Sequence, residues 1–322
     1  MFKGLKEKLR KLFLTEYEIV VLTCSGTGAM ETSVVNFCNK KDKVLYVNQG
    51  KFGNRWGEIC KTYDIQTDEL YIRPGYAPQI KDIESYDLEK YNAVFLTHSE
   101  TSTATLTDIK TLSNYIHEKT NALVIVDSIT SVCAIEFRMD EWGVDVAVSA
   151  SQKGFMCPPG LSIVAFNEKA KEKLGNTDVS RYYFDLRKEL ESGKNNLTSW
   201  TPSIPLFYGL DTASEMILSE GLENRWNRTS RSAGYFRDES VKLGFSIYSH
   251  NPTDSLTALT LPNNLKSDLF IRSLHEQYGV FISNGQGELR NKIIRVSHMG
   301  NLELDDFKAL IETFQKQLSE LL

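Results

Sequence analysis

The first two-thirds of the chain alternates short apolar runs with longer stretches of helical periodicity. Strands that alternate with helices are typical of a mostly parallel, doubly wound α/β sheet. A basic, amphipathic stretch over residues 1–14 comes first and predicts a helix packed on the surface, a membrane-surface helix being the alternative. The predicted strands span residues 19–23, 43–47, 93–97, 123–126, 144–148 and 161–166, and the predicted helices between them span residues 28–39, 52–63 and 107–119.

The pattern changes at about Gly221, where long helical stretches begin to alternate with short strands. This is typical of an α+β arrangement and predicts two domains, a large one over residues 1–220 and a smaller C-terminal one over residues 221–322. The polar segment 174–201 predicts an irregular surface excursion. In the second domain the predicted helices span residues 221–243, 267–278 and 303–322, and the predicted strands span residues 256–261 and 293–296.

Two neighbouring strands end in an acid and a lysine. The apolar run 124–126 ends in Asp127, and the run 144–150 leads into a turn that carries Lys153. Because ligands of open α/β sheets bind at the carboxyl ends of the strands, both side chains are expected in one crevice. An amine and a carboxylate there suit pyridoxal phosphate (PLP), since the amine forms a Schiff base and the acid holds the pyridine nitrogen protonated. An ordinary strand-end salt bridge is the alternative.

The loop Ser25–Glu31 follows a strand and opens a helix. Its glycines, Gly26 and Gly28, permit close backbone approach, and a helix N-terminus favours a phosphate. The loop lacks the Gly-Lys-Ser/Thr of a Walker loop and the third glycine of a dinucleotide fingerprint, so a single phosphate fits better than a pyrophosphate. A simple tight turn is the alternative.

Two further loops follow strands at the same edge. Phe52 comes after a glycine turn and can stack on a planar ring, or it can be the first apolar residue of a helix. The loop 97–103 carries five hydroxyls, including that of Thr101, which can bind a phenolate oxygen or a substrate, or can form caps and turns.

The composition narrows the class of protein. A hydrophobic fraction of 41% and a charged fraction of 25% are typical of soluble globular proteins, and a net charge of −5 gives no reason to expect nucleic acid binding. No apolar run approaches the length of a membrane span, and no signal peptide is recognised, so no membrane association is expected. The five cysteines form no Cys-x-x-Cys pair, which indicates a reducing, cytoplasmic setting, and the five histidines lack metal-ligand spacing.

Four motifs occur in order: Ser-Gly-Thr-Gly-Ala-Met-Glu, His-x-Glu-Thr-Ser-Thr, Val-Asp-Ser-Ile-Thr-Ser and Ser-Gln-Lys-x-x-x-x-Pro-Pro-Gly-Leu. Together they resemble the class V aminotransferases of PLP fold type I, and most of all the branch that contains alanine–glyoxylate and serine–glyoxylate aminotransferases. The stretches 204–205, 221–226 and 293–296 also fit, so the resemblance covers nearly the whole chain.

The resemblance implies a role for each motif residue. Lys153 would form the Schiff base and move the substrate Cα proton, Asp127 would pair with the pyridine nitrogen, and Arg295 would bind the substrate carboxylate. The remaining cofactor contacts would come from Gly26, Thr27, Gly28 and Gln152 at the phosphate, Phe52 and Ile129 on the two ring faces, and Thr101 near the phenolate oxygen.

The resemblance also implies a homodimer with shared active sites. In relatives, a Tyr and a Thr before an Ile-Pro pair reach the phosphate of the neighbouring subunit. Trp200 and Ser203 stand at those positions here, so an indole N–H, which can donate a hydrogen bond, takes the place of the phenol. Relatives also carry an N-terminal arm before the first helix, and without it the pocket would be wider.

The predicted function is a PLP-dependent aminotransferase that moves an amino group from alanine or serine to glyoxylate or pyruvate. A different PLP reaction on the same fold, namely aminophosphonate transamination, decarboxylation or elimination, is one alternative. A non-catalytic relative is the other, and the joint presence of Lys153, Asp127 and Arg295 argues against it.

Overall fold

The structure, a computed structural model, describes residues 1–321, apart from the side chain of Asn264. The strands of this part of the chain are β1 Glu18–Leu22, β2 Lys43–Asn48, β3 Gln66–Tyr71, β4 Ala93–Thr97, β5 Ser99–Glu100, β6 Thr105–Leu106, β7 Leu123–Asp127, β8 Val146–Ala150, β9 Ser162–Phe166, β10 Ser246–Ile247, β11 Leu256–Thr260, β12 Ser283–Asn284 and β13 Ile293–Ser297. The helices are α1 Phe2–Phe13, α2 Gly26–Phe37, α3 Lys51–Thr62, α4 Ile80–Ile83, α5 Ile109–Lys119, α6 Glu168–Lys171, α7 Leu186–Lys194, α8 Ile204–Glu220, α9 Leu222–Lys242, α10 Ser267–Tyr278 and α11 Leu304–Leu321.

A seven-stranded sheet forms the first part of the molecule, in the order β1-β9-β8-β7-β4-β2-β3. Strands β3, β2, β4, β7 and β8 are parallel, whereas β9 is antiparallel to both of its neighbours. Every residue of β4, β7 and β8 is buried, because apolar layers cover both faces of the sheet. Burial on both faces explains the near-continuous apolar runs and confirms the predicted doubly wound α/β fold.

The second sheet is smaller and antiparallel, in the order β10-β11-β13-β12. It packs with α9, α10 and α11 around a core that includes Phe236, Phe270 and Phe314. The two sheets lie on either side of Gly221 in the sequence, and the division of the chain into domains there stays a prediction. The predicted last helix matches α11, although its final residue, Leu322, lies outside the described residues.

The first helix is a packed surface helix, as predicted. Leu5, Leu9, Leu12 and Phe13 of α1 are buried in the same core as the large sheet. Phe2 also contacts Phe207 of α8 with the ring centroids 4.9 Å apart. Within residues 1–321 no helix combines the length and the apolar character needed to cross a membrane.

Several elements differ from the sequence prediction. Strand β3 was not predicted, because it is an edge strand in which only Leu70 is buried. Helix α7 interrupts the segment predicted to be irregular, and α8 was not predicted at all. Strand β8 begins at Val146 rather than residue 144, since the buried carboxylate of Asp145 accepts a hydrogen bond from the backbone N–H of Val124 at 2.7 Å.

The strand order places the predicted site. Strands β7 and β8 are parallel neighbours, with Asp127 paired to Val148. Asp127 therefore ends its strand at the edge of the sheet where β8 runs on into the Lys153 turn, as the sequence predicted.

Candidate active site

The turn that carries Lys153 is held rigidly by Ser151. The carbonyl of Ser151 accepts the N–H of Cys157 at 2.9 Å, and its hydroxyl donates to the carbonyl of Pro158 at 2.7 Å. Gly154 directly follows Lys153. A Cβ on Gly154 would lie 2.2 Å from the carbonyl oxygen of Val132, so only glycine fits there. The lysine is therefore presented from a fixed loop.

The surroundings of Lys153 favour its neutral form. Burial lowers the pKa of its amine, and the charge of Arg295 lowers it further, while Asp127 acts in the opposite direction. A lysine with a lowered pKa carries more of the unprotonated, nucleophilic amine at neutral pH.

Asp127 is a buried carboxylate that receives few hydrogen bonds to offset the cost of its burial. The residue is 5% exposed, and among the described residues the one hydrogen bond to its carboxylate comes from the backbone N–H of Ile129, at 2.9 Å. Burial raises the pKa of Asp127 to about 7, with the Ile129 hydrogen bond opposing the shift and Glu100 adding to it. A protonated ring nitrogen beside this carboxylate would supply the missing partner.

Five predicted site residues line one cleft of about 590 Å³. Met156, Met299 and Gly300 contribute to its other walls. The cleft therefore combines residues of the second sheet with the lysine turn, the start of α3 and the loop of Thr101. The predicted residues that line it are Phe52, Thr101, Gln152, Lys153 and Arg295.

Arg295 reaches this cleft from the middle of β13. Its Nε donates to the carbonyl of Asn284 at 2.9 Å, and its Nη1 donates to the carbonyl of Thr101 at 2.8 Å. These two contacts fix the plane of the guanidinium, and its Nη2 has no hydrogen-bond acceptor among residues 1–321. Burial lowers the pKa of Arg295, while the charge of Glu100 opposes that effect. The arrangement leaves N–H groups for a carboxylate in the cleft.

The predicted phosphate loop forms the N-terminus of α2. Gly26 and Thr27 occupy its first positions, where backbone N–H groups lack helical acceptors. A Cβ on Gly26 would lie 2.6 Å from Cδ1 of Ile129, so the structure brings these two predicted residues together. Gly28 differs, because its N–H donates to the carbonyl of Ser25 at 2.9 Å and a Cβ there would meet the thiol of Cys24.

The sequence matches the family described as Aminotransferase class-V over residues 1–299. The chain belongs to the class V aminotransferases. It is 33% identical over 319 residues to the soluble hydrogenase small subunit of Synechococcus sp. (strain PCC 6716), covering 97% of this chain and 83% of that protein. It is 31% identical over 311 residues to serine–glyoxylate aminotransferase of Hyphomicrobium methylovorum, covering 92% and 76%. The fold matches the subgroup IV aspartate aminotransferase of Thermus thermophilus with a TM-score of 0.93 and 33% identity, covering 100% of this chain and 90% of that one.

Membership in the class V aminotransferases confirms the family predicted from the four motifs, together with its fold and enzyme class. It implies PLP as the cofactor. The names of the relatives differ in the amino acid they mention, serine in one and aspartate in another, and the hydrogenase name belongs to the Synechococcus protein.

Seven predicted site residues of this class V chain do not line the cleft, namely Gly26, Thr27, Gly28, Asp127, Ile129, Trp200 and Ser203. The indole N–H of Trp200 donates to the carbonyl of Tyr183 at 2.8 Å, and the two rings are stacked with centroids 5.6 Å apart. Ser203 precedes α8 as its N-terminal cap position. In this single chain the indole N–H expected at a phosphate is thus already engaged. The contact of Trp200 and Ser203 with a neighbouring subunit stays a prediction.

Glu100 is a site residue that sequence reasoning missed. Its fully buried carboxylate accepts the backbone N–H groups of Phe52 at 2.9 Å, Gly53 at 2.8 Å and Ser102 at 3.0 Å, and the hydroxyl of Ser102 at 2.6 Å. Burial raises the pKa of Glu100, and these hydrogen bonds oppose the shift. One side chain thus joins the start of α3, which carries Phe52, to the loop of Thr101. Two signals in the sequence pointed to it without assigning it a role, namely the clustered hydroxyls around it and its place in the motif His-x-Glu-Thr-Ser-Thr.

A buried arginine joins the lysine turn to the wall of the cleft. The Nε of Arg225 donates to the carbonyl of Cys133 at 2.6 Å, and its Nη2 donates to the carbonyls of Gly154 at 3.1 Å and Gly300 at 3.3 Å. Its Nη1 pairs with Glu220 at 2.7 Å. Arg225 therefore spans residues far apart in sequence. The motif match over 221–226 pointed to this segment without assigning it a role.

Proposed function

We propose that this protein is a PLP-dependent aminotransferase that moves an amino group from a small amino acid, alanine or serine, to a 2-oxo acid, glyoxylate or pyruvate. One observation carries the proposal: Arg295 lines the same cleft as Lys153, whose turn follows the strand next to that of Asp127. Glyoxylate appears in the name of a relative that is 31% identical, which supports it as acceptor.

The residues present fit PLP. Asp127 offers a buried carboxylate that lacks a charged partner at hydrogen-bonding distance, which suits the pyridine nitrogen. Phe52 and Ile129 would cover the ring faces, Thr101 would lie near the phenolate oxygen, and Gly26, Thr27 and Gln152 would hold the phosphate. When bound, PLP supplies an aldehyde and a cationic ring that accepts the electron pair released at the substrate Cα.

Each side chain has a separate task in this proposal. Lys153 takes the Cα proton of the amino donor and, in the second half of the reaction, delivers a proton to the Cα of the acceptor. Its lowered pKa suits it to both tasks near neutral pH. Arg295 orients the substrate through its carboxylate, while the carbonyls of Asn284 and Thr101 hold the guanidinium in place. Asp127 keeps the ring nitrogen protonated throughout.

We also infer a cytoplasmic homodimer whose subunits share their active sites. Helix α8 supports the dimer, because Ile204, Tyr208 and Met216 are exposed apolar residues on it, with Tyr208 60% exposed. The five cysteines are free, which supports a reducing compartment. Its partners would be amino acids, 2-oxo acids and a second copy of the chain.

The activity is tested by incubating the protein and PLP with a panel of donors and acceptors and measuring the new amino acid and keto acid. We expect turnover with alanine or serine and with glyoxylate or pyruvate. Lys153→Ala should abolish turnover, whereas Lys119→Ala, which removes an exposed lysine from α5, should leave it unchanged. Turnover retained by Lys153→Ala would overturn the proposal.

A further inference from the structure

The phosphate of PLP carries close to two negative charges, and the residues assigned to it so far carry none. Gly26, Thr27 and Gln152 are neutral, and a helix N-terminus offers the equivalent of only about half a positive charge. A buried or half-buried phosphate is therefore expected to have a cation near the start of α2. We propose that Arg55 is that cation and a cofactor-binding residue of this protein, an inference that rests on the proposed PLP function.

The position of Arg55 supports this role. It lies one helical turn after Phe52 on α3, so the two side chains share a face of the helix. Its guanidinium carbon is 4.8 Å from the centroid of the Phe52 ring. Its Nη1 donates to the hydroxyl of Thr27 at 3.2 Å. Arg55 therefore bridges the ring expected to stack on the cofactor and the helix start expected to hold its phosphate.

The charge of Arg55 is available to a ligand. It is half-buried, and within residues 1–321 no carboxylate forms a salt bridge with it. Arg225, Arg228 and Arg237 are different, since each is paired with a carboxylate at 2.6 to 2.8 Å. Apart from the bond to Thr27, the donors of Arg55 have no acceptor in the same part of the chain. A planar guanidinium with free donors matches the geometry of a phosphate.

The test compares PLP with pyridoxal, which has the same ring and aldehyde but no phosphate. Equilibrium dissociation constants for both compounds are measured by absorbance and protein fluorescence on wild type, Arg55→Gln and Arg55→Lys. We expect Arg55→Gln to weaken PLP by about 10- to 100-fold and to leave pyridoxal within about threefold. Arg55→Lys keeps the charge without the planar fork and should fall between the two.

The control is Lys61→Gln, which removes one positive charge from the last turn of the same helix. Equal thermal melting of the cofactor-free proteins establishes that Arg55→Gln is folded. Unchanged PLP affinity in Arg55→Gln, or equal weakening of PLP and pyridoxal, would overturn the role of Arg55 while leaving the proposed function intact. Failure of the wild type to bind PLP would overturn both.

Discussion

At the scale of single residues, the site depends on two carboxylates that burial affects differently. Asp127 is nearly uncompensated and has a pKa raised to about 7, whereas Glu100 is surrounded by four donors. The first is suited to meet a cationic ring and the second to hold backbone in place. Different roles for the same functional group follow from the number of hydrogen bonds each one receives.

Asp127 should make the stability of the cofactor-free protein depend on pH. The pKa of its carboxyl group is near 3.8 in the unfolded chain, and burial raises it to about 7 in the folded protein. Its contribution to stability is therefore complete below pH 3.8 and is lost as pH rises through about 7. Relative to Asp127→Asn, the free energy of unfolding of the wild type should fall by about 2–3 kcal/mol between about pH 5 and pH 8.

The check is a urea titration of both proteins across that pH range, without PLP. The two buried histidines, His98 and His298, have lowered pKa values and give a trend of the opposite sign, but they are present in both proteins and cancel in the difference. A difference that does not change with pH would contradict the raised pKa of Asp127.

Glu100→Gln should destabilise the protein and weaken PLP binding. A glutamine has one carbonyl oxygen, so it cannot accept the N–H groups of Phe52, Gly53 and Ser102 as the two carboxylate oxygens do, and at least one buried N–H is left facing an NH₂ group. We expect a loss of about 1–3 kcal/mol in urea unfolding. Glu118→Gln, an exposed position on α5, is the control, and equal stability of the two variants would refute the role of Glu100.

The residues that could be predicted from the sequence are those at strand ends. Asp127 and Lys153 follow apolar runs, and strand order alone brings them together. Glu100 and Arg55 could not be identified in this way, because their partners, the N–H groups of Phe52 and Gly53 and the hydroxyl of Thr27, belong to loops that meet only in the fold. The N–H of Gly28 is used within the turn, and its role at the phosphate stays a prediction.

At the scale of elements, the link between α8 and α9 controls how the cleft is built. Glu220 closes α8, and its carboxylate binds both Arg225 and Arg228 of α9 at 2.7 and 2.8 Å. The two arginines then donate to the carbonyls of Gly300, which lines the cleft, and of Leu302. This cluster of charges thus positions the part of the cleft wall that Gly300 forms.

Replacing Arg225 should affect substrate binding more than the chemical step. Arg225→Gln removes the donor shared by Gly154 and Gly300, so we expect KM for the amino donor to rise about 10-fold or more, with a smaller fall in kcat. Arg225→Lys keeps the ion pair with Glu220 and should recover part of the loss.

Steady-state kinetics of both variants check this expectation, with Arg272→Gln, an exposed arginine on α10, as the control. A fall in kcat with KM unchanged, or no recovery in Arg225→Lys, would show that Arg225 does not position the cleft wall.

Strong elements were predictable from periodicity, and weak ones were not. Strands β4 and β7 are continuous apolar runs and were predicted almost to the residue. Strand β3 sits at the edge of the sheet with one buried residue, so its sequence is mostly polar. Helix α8 has Phe207, Leu210 and Ile217 on its buried side. The exposed apolar residues Tyr208 and Met216 break the apolar–polar periodicity by which such a helix is recognised in the sequence.

At the scale of the whole molecule, the exposed apolar residues of α8 predict a dimer. Sedimentation of the wild type at about 10 μM should give twice the mass of the 36.6 kDa chain. Tyr208→Asp should dissociate the dimer. It should also weaken PLP binding, because in the proposed dimer each active site loses the residues that the neighbouring subunit contributes. Leu269→Asp, at a 47% exposed position on α10, is the control, and a monomeric wild type would contradict the prediction.

Lys153 is the residue to which we propose that PLP attaches. The most direct test is to incubate the protein with PLP, reduce it with borohydride, digest it and locate the added mass by peptide mass spectrometry. We expect one modified peptide, carrying the label on Lys153, and no modification at that position in Lys153→Arg. A label on another lysine, with Lys153 unmodified, would contradict this proposal.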